Sequence, residues 1–85
     1  MRSIDNPQYI SGMLRKYGLP DASVVITHPD GDWVADITAP DGFTGRMRVT
    51  KKTLALSPYK QVRDAVISMA RDITAEAIEY MKECK

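Results

Sequence analysis

The side chains with reactive potential are few and spread apart. The chain of 85 residues holds one histidine, His28, and one cysteine, Cys84. His28 stands just before Pro29-Asp30-Gly31-Asp32, so an imidazole and two carboxylates share one short stretch. Such a trio could touch a cation, but Asp-Gly spacing is turn chemistry first, and the later glutamate of an EF-hand loop is missing. No second histidine or cysteine stands at zinc-ligand spacing. Cys84 has no base spaced to draw off its proton, and a thiol without one is a packing group. The other carboxylates fall in turns and on outer helix positions, with no pair forced together for acid–base work. No glycine-rich loop is present to cradle a phosphate. These residues predict a protein that is not an enzyme and has no metal, cofactor or small-molecule substrate.

Binding chemistry is better represented. Net charge is only +1, yet the charges are segregated. Residues 17–45 carry Asp21, Asp30, Asp32, Asp36 and Asp41 without a base, and residues 46–63 carry Arg46, Arg48, Lys51, Lys52, Lys60 and Arg63 without an acid. Blocks of this kind steer a partner to one face, or neutralise one another where strands lie side by side. A single cysteine excludes an internal disulfide. No stretch approaches the roughly 18 apolar residues of a membrane span, and no leader-like apolar run follows Arg2. The expectation is a cytoplasmic protein, of a size and simplicity that suit a bacterial or phage-encoded accessory protein.

The elements that must position these residues are well punctuated. A first helix is predicted over 6–17. Asn6 caps it, Pro7 suits its first position, and Gly18 followed by Pro20 ends it. Ile10, Met13, Leu14 and Tyr17 form its apolar stripe, and Gly12 weakens it from within. Three strands are predicted over 22–28, 32–39 and 43–51, separated by two copies of Pro-Asp-Gly, a word that fits a tight hairpin turn. In the second hairpin the turn and the alternation agree. They set Ile37 opposite Gly45, Ala35 opposite Met47 and Trp33 opposite Val49 on the core face, with Asp36 opposite Arg46 and Val34 opposite Arg48 on the other. The first hairpin stays open between two registers. A three-residue loop puts Val24 and Ile26 outward beside Val34, and a four-residue loop from His28 to Gly31 buries them. Lys51 to Leu56 reads as a linker whose Leu54 and Leu56 plug one end of the core.

A long helix over 58–83 completes the chain, with Ser57 as N-cap and Pro58 first. Tyr59, Val62, Val66, Met69, Ile73, Ala77, Tyr80 and Cys84 recur at helical spacing. The fold class is therefore α+β. A three-stranded antiparallel meander carries two helices on one face, in the order α-β-β-β-α, within a single domain.

The same order is similar to that of the double-stranded-RNA-binding domain. That family places a Lys-Lys-x-Ala-Lys run at the start of its last helix and a Gly-Pro-x-His loop between its first two strands. Here Lys51-Lys52-Thr53-Leu54-Ala55 falls before the helix, and the loop reads His28-Pro29-Asp30-Gly31. The resemblance lies in topology and implies RNA binding by analogy.

Two functions follow as expectations. The first is a protein-binding module, accessory or inhibitory, that uses Val24, Ile26 and Val34 rimmed by Arg46 and Arg48 on the outer sheet face. The second is nucleic-acid binding through Arg46, Arg48, Lys51, Lys52, Lys60 and Arg63 along one edge. The long helix also exceeds the strands in length, so Ile73, Ala77, Tyr80 and Met81 predict either a homodimer or a bend near Thr74 that folds the tail over the first helix.

Overall fold

The first helix forms where its caps dictate. In the computed structural model, which describes residues 3–83, α1 spans Pro7–Tyr17. The Asn6 side chain accepts from the Gln8 N–H at 3.0 Å, covering one of the free donors of the first turn. At the other end Gly18 takes φ 115°, and the Leu19 N–H donates back to the Leu14 carbonyl at 2.8 Å. That closure suits glycine and folds Leu19 into the core. A short 3₁₀ turn, Ser3–Asp5, precedes α1 and buries Ile4.

Strands β1 (Ser23–Thr27), β2 (Trp33–Thr38) and β3 (Thr44–Val49) form one antiparallel sheet in sequence order. The second hairpin has the register that its turn and alternation predict, with Trp33 opposite Val49, Ala35 opposite Met47 and Ile37 opposite Gly45. Gly42 adopts φ 98°, and the Ala39 N–H reaches the Phe43 carbonyl at 2.8 Å.

The first hairpin resolves onto the inward face. Val24 pairs with Ile37 and Ile26 with Ala35, so both turn toward the core, and Val25 turns outward. Neither expected loop is the one formed, because the last pair is Thr27 with Val34. Asp30 and Gly31 both take left-handed φ, 54° and 86°, and carry the turn beyond Pro-Asp-Gly. Asp32 is held out of the ladder by bonds to Arg48 and Lys51.

The segment read as a linker is a helix, α2 (Lys51–Leu56). Thr50 caps it through its hydroxyl on the Thr53 N–H, and the Asp32 carboxylate accepts the Lys51 N–H at 2.6 Å. Anionic oxygen at a helix start is favourable. Ser57 closes α2, its N–H on the Thr53 carbonyl, instead of opening the next helix. Only Leu54 reaches the core, since Leu56 is 74% exposed.

The long helix α3 spans Tyr59–Glu83 without a break. Val62, Val66, Ala70, Ile73, Thr74 and Ala77 form its buried face, and the Thr74 hydroxyl is satisfied by the Ala70 carbonyl at 2.8 Å. Helices α1 and α3 lie side by side on one face of the sheet, α1 against β1 and α3 against β3. A side-chain carbon at Gly45 would stand 3.2 Å from Ile73 Cγ2, and one at Gly18 would stand 3.6 Å from Ile78 Cδ1. The last turns of α3 are thus laid over the sheet and the end of α1, without the bend at Thr74. Trp33 fills the centre, fully buried, and its indole N–H donates to the Ile4 carbonyl at 3.0 Å.

Gly12 has no comparable reason for its lack of a side chain. A carbon there would meet nothing within 4 Å, and its φ lies in the ordinary helical range. Gly12→Ala is therefore expected to stabilise the fold by about 1 kcal/mol, read as a higher melting point. No change, or a lower melt, would show that α1 is strained at this position.

Candidate interaction surface

The outer sheet face does not form the apolar patch expected of it. Val24 and Ile26 pack inward, and Val34, though on the outer face, is buried at 4% between its ladder neighbours Thr27 and Arg48. Val25, 57% exposed, is the large apolar side chain that this face presents. The two arginines are engaged. Arg46 Nε donates to Asp36 Oδ1 at 2.8 Å, and Arg48 donates from Nε and Nη2 to Asp32 Oδ2 at 3.1 and 2.5 Å. Exposed pairs of this kind contribute little each.

Asp32 is the exception in role. The Arg48 hydrogen bond, and then the Lys51 N–H, hold its carboxyl below the ordinary value of 3.8. A carboxyl that is more acidic folded than unfolded stabilises the fold above the unfolded value. That contribution fades as pH falls through the folded value. Asp32→Asn is expected to lower the melting point at neutral pH, by an amount that shrinks below pH 3.8. A deficit independent of pH would assign the effect to the turn alone.

The basic residues are divided among β3, α2 and the start of α3. Arg46 and Arg48 lie on the sheet face, while Lys51 lays its stem over Gly31. Lys52 shares a face of α2 with Leu56, four residues on, and Lys60 and Arg63 belong to the first turns of α3. Arg63 stands 3.9 Å from Asp64, and Lys52 and Lys60 have no ion-pair partner among the described residues.

The residues expected to self-associate are largely used within the chain. Ile73 and Ala77 are buried, and the Tyr80 ring meets Phe43 at a tilt of 59° with ring centroids 5.7 Å apart. Met81 alone stays open, at 37%, in a groove with Leu19, Pro20, Ala39 and Pro40. Tyr59, the first residue of α3, is exposed. Cys84 lies outside the described residues.

His28 approaches Asp5. Its Nε2 stands 3.4 Å from Asp5 Oδ1, which ties the turn to the chain's first residues. Among the described residues, no three of the histidine, cysteine, aspartate and glutamate side chains gather to hold a metal.

A surface that the charge blocks did not mark lies between the two long helices. Tyr9, Gly12, Met13, Lys16 and Tyr17 of α1 face Ile67 of α3 across a mostly apolar groove. Tyr9 and Tyr17 wall its ends, eight positions apart, or about 12 Å along the helix. Arg71 lies over the Tyr17 ring, 5.5 Å from its centre, within reach of a cation–π contact. No carboxylate lines the groove among the described residues. The sequence signal was Gly12 itself, a helix-weakening residue on the open face. Among the described residues no helix is long and apolar enough to cross a membrane. No family model matches the chain, and comparison with curated proteins and with solved structures gives no match.

Proposed function

We propose that the chain is a small non-enzymatic protein-binding module, an accessory or inhibitory protein that acts by occupying a partner's surface. The observation that supports it is the α1–α3 groove, apolar along its floor and walled by two tyrosines. Tyrosine beside apolar side chains is typical of interface centres, and lysine and arginine suit the rim. Arg46 and Arg48 are paired with Asp36 and Asp32, which supports the protein-binding reading over the nucleic-acid one. With one cysteine and no internal disulfide, a reducing cytoplasm suits the chain.

Affinity capture from native extract, with and without nuclease, tests the proposal. The expected result is a protein that is retained after nuclease treatment and lost with Tyr9→Ala and Tyr17→Ala. Capture that vanishes with nuclease and falls steeply as salt is raised would replace it with phosphate-backbone binding.

A further inference from the structure

On the reading of the α1–α3 groove as a binding site, we infer that its occupant is an acidic amphipathic helix of another protein. Three observations carry this. The groove runs between two helices packed side by side, which is the shape that receives a third helix through anchors at i, i+3, i+4 and i+7. Gly12 opens the middle of its floor. A side chain there would meet nothing inside the fold, so the gap serves no contact of this chain, and it lets another backbone come close to α1.

The charge of the surroundings selects the partner's sign. Lys16 lines the groove, Arg71 caps Tyr17, and α1 carries Arg15 and Lys16 without an acid. A helix with glutamates or aspartates flanking its apolar stripe meets these cations, and a basic one is repelled. A second copy is a poor occupant. The acidic positions of α3, Asp72, Glu76, Glu79 and Glu83, flank a stripe whose Ile73 and Ala77 are already buried at home.

A display library of helix-forming peptides of about 18 residues, randomised in charge and in apolar spacing, provides the probe. Selected on the whole protein, it is expected to enrich acidic sequences with apolar residues at helical spacing. Gly12→Leu projects into the groove from a position where an added Cβ meets nothing within 4 Å, and leucine suits a helix better than glycine, so it should raise the melting point. It should weaken the selected peptides by at least about tenfold, a loss of 1.4 kcal/mol. Lys16→Glu with Arg71→Glu should weaken acidic peptides and leave charge-neutral versions bound. Enrichment of basic peptides, or binding that survives Gly12→Leu, overturns the acidic-helix site and leaves the protein-binding function standing. No enrichment at all overturns the site as well. A mass that doubles with concentration in light scattering, and stays single in Gly12→Leu, would assign the groove to a second copy instead.

Discussion

Trp33→Ala is expected to destabilise the protein by about 3–5 kcal/mol, the usual range for loss of a buried large aromatic. The indole is fully buried beneath both helices, so its removal leaves a cavity that the sheet cannot close. It also orphans the Ile4 carbonyl, which accepts from the indole N–H at 3.0 Å. For a chain of 85 residues the whole stability is roughly 4–13 kcal/mol, so the variant stands near the edge of folding. Urea unfolding followed by circular dichroism measures the loss. Trp33→Phe separates the two contributions, because it restores most of the volume and none of the hydrogen bond. A midpoint for Trp33→Ala within a few tenths of a molar of wild type would place the indole outside the cooperative core.

Ile73→Glu should be comparably severe, by about 3–5 kcal/mol, and for a different reason. Ile73 is buried where α3 crosses β3, with its Cγ2 close above Gly45. A carboxylate there has no partner and no water. It either stays uncharged at neutral pH or forces α3 off the sheet. Met81→Glu, about two turns further down the helix and 37% exposed, should change the melting point little. The pair of variants separates burial within the chain from burial between copies. If Ile73→Glu kept its melt and only halved the mass in light scattering, the side chain would belong to a dimer interface after all.

Residues that obey local rules were legible. Asn6, Pro7 and Gly18 bound α1 as capping chemistry requires, and the second hairpin was settled because turn and alternation agree on one register. The first hairpin was not. Strand β1 is apolar on both faces, so alternation cannot choose between them, and the choice comes from Asp32, which leaves the ladder for Arg48 and the start of α2. That pull is a tertiary contact across the sheet. Helix α2 was missed for a related reason. Its sequence is short and its N-terminal oxygen comes partly from Asp32, distant in the chain, so Thr50 alone was a weak signal.

The candidate site shows the same division. Arg46 opposite Asp36 could be read from strand parity, and the two side chains form an ion pair at 2.8 Å. The end of α3 could not be placed by length, because length does not say what its last turns contact. The contacts of Gly45 with Ile73 and of Gly18 with Ile78 decide that. The α1–α3 groove needs the two helices side by side, and no spacing within either helix specifies that.

The order of the strands has a consequence for how quickly the native state is reached. Each strand pairs with its immediate successor, so the sheet closes only short loops. Closure of short loops carries a small entropic barrier, and chains dominated by local pairings fold in milliseconds or faster. The distant meetings, α1 with α3 and Ile4 with Trp33, join the two ends of the chain. They gain from a sheet that already holds Trp33, Ala35 and Met47 on one face. The hairpins are therefore the expected nucleus, and substitutions in the α3 contacts are expected mainly to speed unfolding and leave the folding rate little changed.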